Sequence, residues 1–168
     1  MVDTLIRDVE ILDGTGTEPR RGDIGIEDGA IAYAGDPEGP GRTEIQAGGL
    51  TAAPGFIDIH THSDYTLLLD GRAKSAVFQG VTTQINGNCG ISAFPVGADG
   101  PFLGPFDSTR LRAALDPTWE SAAGYFSTLT QRGIAINAGF LTGHGAVRQA
   151  VMAESAERPS AAELRQMR

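Results

Sequence analysis

A single cysteine, Cys89, stands among 168 residues. One thiol cannot close an internal disulfide, so nothing in the sequence calls for an oxidising compartment. Basic residues are scarce as well: 13 Lys and Arg against 21 Asp and Glu give a formal net charge of -8. That balance argues against nucleic acid or an anionic membrane as partner, because phosphate binding draws on an excess of Lys and Arg. Long apolar runs are missing too. No stretch approaches the roughly 20 residues of a membrane-crossing helix. The start, MVDTLIRDVEIL, places Asp3, Arg7 and Asp8 where a signal peptide needs an apolar run. The expectation is a cytoplasmic location.

What is present suits a soluble domain with a real core: 40% of the residues are hydrophobic, and 23 glycines point to many tight turns. Val9 and Ile11, then Ile24, Ile26, Ile31 and Tyr33, alternate with the two-residue period of half-buried strands. Asp28-Gly29 between the second and third runs is a hairpin signal. Gly35 to Gly41 reads as a surface loop. Residues 1–52 are therefore expected to form a small antiparallel β-unit. From residue 53 the rhythm changes to strand, helix, strand, helix, strand, as in parallel βα proteins. The strands are expected over Phe56–His60, Val81–Ile85 and Ile134–Phe140. Helices are expected over Ala73–Gln79 and from Asp116, an N-cap with Pro117 in the first turn. Trp119, Ala122, Phe126 and Leu129 mark the face of that second helix, and Gly133 stops it. Gly143-His144-Gly145 reads as a turn. Ser160 and Glu163 form a capping box, and the chain stops about two turns later, so it is expected to be cut short of a larger fold.

Three expected parallel strands each end in a residue suited to metal or proton chemistry. His60-Thr61-His62 closes the first. On a strand, residues two apart share a face with Cα atoms about 6.5 Å apart, close enough for two imidazoles to meet one divalent ion. An HxH pair alone is equally readable as two polar residues at a strand terminus. Asp64 is a candidate hydrogen-bond partner for a ligand ring. Cys89, in Asn86-Gly87-Asn88-Cys89-Gly90, follows the second strand. A lone cysteine is usually a small buried apolar residue, but the flanking glycines suit a tight turn, and thiolate with neutral imidazole is a good zinc donor set. His144 ends the third strand. Arg148 is a candidate for holding a substrate carboxylate, set against a solvated helix-face arginine. In parallel barrels, residues at the carboxyl ends of strands build the active site. The Phe94–Phe106 segment, with Pro95, Pro101 and Pro105, is a candidate lid or specificity loop, or a plain connection.

PGFIDIHTHSD, residues 54–64, after the β-rich segment ending GGLTAAPG, resembles the first-strand metal motif of the amidohydrolase superfamily. NGNCGIS, residues 86–92, and GHGAVR, residues 143–148, resemble one branch of it, the D-aminoacylases or N-acyl-D-amino-acid deacylases. The resemblance covers the whole chain. It implies an α/β fold: strands of a small β-sandwich over residues 1–52, then over 53–168 the first part of a metal-dependent hydrolase TIM (β/α)8 barrel, to about its third strand. It implies one or two zinc ions. His60 and His62 match the pair at the more weakly held metal position. Cys89 matches the cysteine on the tightly held zinc, a place taken by a carboxylated lysine in many relatives. His144 matches a motif position without a firm role. Two further histidines and an acid/base aspartate are implied on later strands, so no catalytic acid or base is assigned within these residues.

The implied activity is metal-assisted hydrolysis of a linear, non-peptide amide, an N-acyl-D-amino acid giving a D-amino acid and a carboxylate. The 168 residues by themselves are expected to lack it. Two alternatives stand beside this reading. One is a cyclic-amide hydrolase like dihydroorotase or hydantoinase, which shares the HxH pair but not Cys89. The other is a non-catalytic fragment serving as an interaction module. The acyl group, the side-chain preference and the oligomeric state are not fixed by the sequence.

Overall fold

The computed structural model describes residues 1–36, 39–115 and 117–168, in two compact units, Met1–Pro54 and Gly55–Arg168. Pro37 and Glu38, inside the expected Gly35–Gly41 loop, and Asp116 lie outside the described residues. Among the described residues no helix is long and apolar enough to cross a membrane.

The first unit is one five-stranded sheet. β1 (Val2–Ile11), β2 (Arg20–Glu27), β3 (Ala30–Gly35) and β4 (Gly41–Gln46) lie in the order β3-β2-β1-β4, and the short β5 (Thr51–Ala52) also pairs β1. The β2–β3 hairpin turns at Asp28 and Gly29, whose φ values of 50° and 74° are the positive pair a two-residue turn requires. The expected all-antiparallel pairing holds for β1–β2 and β2–β3 but not for the rest. β4 and β5 run parallel to β1. Since β2 occupies one edge of β1, the strands that cover its other edge arrive by a crossover rather than a hairpin. Ten residues of β1 are long enough to take β4 along Val2–Arg7 and β5 along Glu10–Ile11. Val9, Ile11 and Ile24 form this unit's small buried cluster.

Arg7 ties three of these strands. Its guanidinium donates from Nε and Nη2 to the two Glu44 oxygens, both at 2.8 Å, and from Nη1 to Asp23 at 3.0 Å. The hydrogen bonds to Arg7 hold the Glu44 carboxyl below its ordinary value. A depressed carboxylate stabilises the fold above its unfolded pKa, about 4.3, and loses that contribution as the pH falls through the folded value. Arg7→Met is therefore expected to lower the thermal midpoint at neutral pH. That deficit should shrink when the melts are repeated at progressively lower pH below about 4.3, and a deficit that stays constant down to pH 2 would count against the assignment.

The second unit carries a three-stranded parallel sheet in the order β6-β7-β8: β6 (Phe56–Asp58), β7 (Val81–Asn86) and β8 (Asn137–Phe140). Between β6 and β7 lie α1 (Thr66–Leu69) and α2 (Lys74–Val77). Between β7 and β8 lie a 3-10 turn at Gly104–Phe106, α3 (Thr109–Ala114) and α4 (Ala122–Arg132), and after β8 come α5 (His144–Met152) and α6 (Ala161–Gln166). α4 starts later than expected. Ser121, not the region of Asp116 and Pro117, caps it, its hydroxyl accepting from the Gly124 N–H at 3.3 Å. Trp119 thus precedes the helix, where its indole N–H donates to the Ala93 carbonyl at 2.7 Å. The buried face of α4 carries Tyr125 and Leu129, while Phe126 is half exposed. Gly133, at φ 77°, ends the helix as expected, and the Ser160–Glu163 capping box is complete. Tyr125, Trp119, Phe94 and Leu103 centre the core of this unit. Phe94 and Leu103 of the Phe94–Phe106 segment are buried in this core.

Candidate metal centre

β6 stops at Asp58, so His60 and His62 lie beyond the strand and not on it. Strand alternation therefore does not set their directions, contrary to expectation. Hydrogen bonds from both backbone and side chains hold the loop instead. The Asp58 carboxylate accepts from the His60 N–H at 3.1 Å, and the Thr61 N–H donates to the Ile85 carbonyl on β7 at 3.0 Å. Buried Asn86, the last residue of β7, accepts through Oδ1 from the Thr61 hydroxyl at 2.6 Å and from the Ser63 N–H at 2.8 Å.

Cys89 is turned toward this loop by a run of left-handed backbone. Gly87, Cys89 and Gly90 have φ of 79°, 55° and 78°. Glycine is required at 87, where a Cβ would stand 2.0 Å from the Leu141 carbonyl oxygen. The same close approach recurs at Gly143, whose Cβ would lie 2.4 Å from the Gly90 oxygen. Gly143 is thereby the residue before α5, and the expected turn at Gly143-His144-Gly145 is instead the first turn of that helix.

The outcome is a cluster. Ligand atoms of His60, His62 and Cys89 all lie within 4.8 Å of one another, and His60 Nε2 is 3.2 Å from Cys89 Sγ. His60 and Cys89 are exposed and His62 is half-buried. The His62 ring lies against Phe106, with centroids 5.0 Å apart. Its Nδ1 is buried with no hydrogen-bond partner among the described residues.

Asp64 is buried beneath this loop, 1% exposed, and neither carboxyl oxygen has a side-chain or backbone partner among the described residues by hydrogen-bond geometry. Burial pushes its pKa up to about 6. Its backbone carbonyl accepts from the Tyr125 hydroxyl. Desolvation first, and the Asp64 charge second, push the Tyr65 and Tyr125 phenols upward. His144 is exposed at the start of α5 and stands outside the cluster. The Arg148 guanidinium is engaged by the backbone, donating to the Ser155 and Glu157 carbonyls at 2.8 and 2.7 Å. Asn86, Asn88 and Phe106 also stand at this site, though none was a candidate from the sequence. The two asparagines bracketing Gly87 were the available signal, since polar residues inside a glycine turn are placed to bond backbone.

Residues 43–168 match the Amidohydrolase family. The D-aminoacylase of Alcaligenes xylosoxydans xylosoxydans is 37% identical over 151 residues, which is 89% of this chain and 31% of that protein. The N-acyl-D-glutamate deacylase of the same organism is 36% identical over 167 residues, 99% of this chain and 33% of that one. Among solved structures, the N-acyl-D-glutamate deacylase from Bordetella bronchiseptica, complexed with zinc and a phosphonate inhibitor, superposes with a TM-score of 0.82 at 34% identity. That superposition covers 99% of this chain and 34% of the deacylase, so the chain spans about a third of the length of these relatives. The parallel βα unit is accordingly the opening part of a (β/α) barrel, with a β-rich unit before it. The chain belongs to the amidohydrolase family, in the branch that the D-aminoacylases occupy.

Proposed function

We propose that His60, His62 and Cys89 hold one or two zinc ions in a centre for hydrolysing N-acyl-D-amino acids to a D-amino acid and a carboxylate. The convergence of three donor atoms within 4.8 Å carries the reading. The donor set fits zinc: one thiolate and two imidazoles are its usual ligands, and bonds of about 2.0–2.3 Å at tetrahedral angles put neighbouring donors about 3.5 Å apart. The 3.2 Å between His60 and Cys89 is close to that spacing. The buried Nδ1 of His62, without a partner among the described residues, adds a polar atom that only a hydrogen bond or a cation would satisfy. The zinc-complexed deacylase and the D-aminoacylases among the relatives support the substrate class.

Zinc supplies Lewis acidity toward water and toward an amide carbonyl. This chain's own residues bind and orient. Cys89 and the two imidazoles provide the donors, Asp58 fixes the backbone at His60, and Phe106 covers one side of the His62 ring from solvent. The acid/base aspartate and the further histidines that the family resemblance implies are not among these positions. The 168-residue polypeptide is therefore expected to take up metal without turning over N-acyl-D-amino acids.

The test is zinc content and affinity of the purified 168-residue chain, beside Cys89→Ala. The chain should retain zinc through dialysis. Cys89→Ala should lose affinity by at least the roughly 100-fold that marks the upper range for outer-shell partners of a metal ligand. A chain that is folded yet takes up no zinc would overturn the reading and favour an interaction module instead.

A further inference from the structure

Residues 59–63 lie in neither helix nor strand, yet they carry two of the three donors. We infer that Asn86, assisted by Asn88, is a positioning residue that presets both ligand segments for the metal. This rests on the proposed metal role of His60, His62 and Cys89.

The hydrogen bonds bracket the ligands. Thr61, between the two histidines, donates its N–H to the Ile85 carbonyl at 3.0 Å and its hydroxyl to Asn86 Oδ1 at 2.6 Å. Its carbonyl accepts from Asn88 Nδ2 at 3.2 Å. Ser63, directly after His62, donates its N–H to the same Asn86 oxygen at 2.8 Å. Both sides of His62 are thus bonded to residues 85–88, the run that leads into Cys89. The same Asn88 nitrogen also donates to the Ile85 carbonyl at 2.8 Å, tightening the turn.

Asn86 is fully buried, and it works through its oxygen alone: Nδ2 has no partner among the described residues. The Ser63 N–H can only donate, which fixes the amide with Oδ1 toward the loop. One acceptor atom therefore sets the spacing of the two ligand segments. A loop already ordered loses less conformational freedom when metal binds, and that difference appears as affinity.

Two variants separate positioning from bulk stability. Asn86→Leu keeps the shape and removes the acceptor. Asn86→Asp keeps an acceptor oxygen where the loop needs one. Cobalt(II) titration of the 168-residue chain reads both affinity and the thiolate-to-cobalt charge-transfer band that reports Cys89. Asn86→Leu should weaken cobalt binding by roughly 10- to 100-fold, the range for residues that orient a metal ligand, and should alter that band. Asn86→Asp should recover most of the affinity and the band. A folded Asn86→Leu with unchanged affinity and spectrum overturns the inference, whatever its melting temperature. If that variant does not fold, Thr61→Val removes the hydroxyl donor from the same arrangement, and unchanged cobalt affinity and spectrum there overturn it equally. Failure of the unsubstituted chain to bind cobalt is a different result. It overturns the metal reading itself, and the positioning role with it.

Discussion

Gly87→Ala is expected to destabilise the Gly55–Arg168 unit by about 4 kcal/mol or more, among the largest effects a single methyl group produces. Two costs combine. At φ 79° any L side chain is strained, which accounts for about 1 kcal/mol. The larger cost is contact: the added Cβ would stand 2.0 Å from the Leu141 oxygen and 2.7 Å from its carbonyl carbon. Neither atom is the end of a flexible side chain. Relief requires moving Leu141, whose N–H donates to the Asn86 carbonyl at 2.9 Å just past the last β7–β8 pair. Gly29→Ala in the hairpin turn is the matched control. Its φ of 74° is as unfavourable, but nothing lies within 4 Å of the new methyl, so only about 1 kcal/mol is expected. Denaturant midpoints at unchanged m-value measure both. A Gly87→Ala deficit no larger than that of Gly29→Ala would mean that the close approach to Leu141 is not a real constraint. Where the variant still folds, zinc affinity should fall too, since Asn86, Asn88 and Cys89 flank the displaced residue.

The same residues show why the sequence was readable in places and opaque in others. Asp28-Gly29 declared its hairpin because the turn's geometry is satisfied by two adjacent residue types. The Ser160–Glu163 box is equally local. The parallel pairing of β4 and β5 with β1 is non-local, and alternation of apolar residues says nothing about which edge a strand will cover. The start of α4 went wrong where two acceptable caps compete within five residues, and the burial of Trp119 ahead of Ser121 is a tertiary matter. Residue type, spacing and motif together picked out His60, His62 and Cys89, which the fold gathers. The two histidines do not share a strand face, because β6 ends before His60. His144, at the start of α5, stands outside the cluster, and Arg148 Nη2 donates to the Ser155 and Glu157 carbonyls. For Asn86 the only signal was its place beside a glycine turn, since a polar residue closing an apolar strand looks the same whether it faces solvent or orders a loop.

Tyr125 joins this ordering to the core, and its substitutions are expected to separate packing from hydrogen bonding. The residue is fully buried, with ring centroids 5.5 Å from Phe94 and Trp119 and 5.0 Å from Phe140. Tyr125→Ala removes a large aromatic from the centre of the cluster and should cost about 3–5 kcal/mol, the range for deleting a buried ring. Tyr125→Phe keeps the ring and should cost about 1–3 kcal/mol, the penalty for leaving one buried polar group without its partner. That group is the Asp64 carbonyl, two residues after His62. The alanine change therefore tests the core and the phenylalanine change tests the tie from α4 to the ligand loop. Chemical denaturation gives both values, and cobalt titration on the phenylalanine variant shows whether the tie reaches the donors. Equal losses for the two variants would assign the stability to the hydroxyl alone. A phenylalanine variant as stable as the parent would remove the Asp64 carbonyl from the account and leave Asn86 as the anchor of that loop.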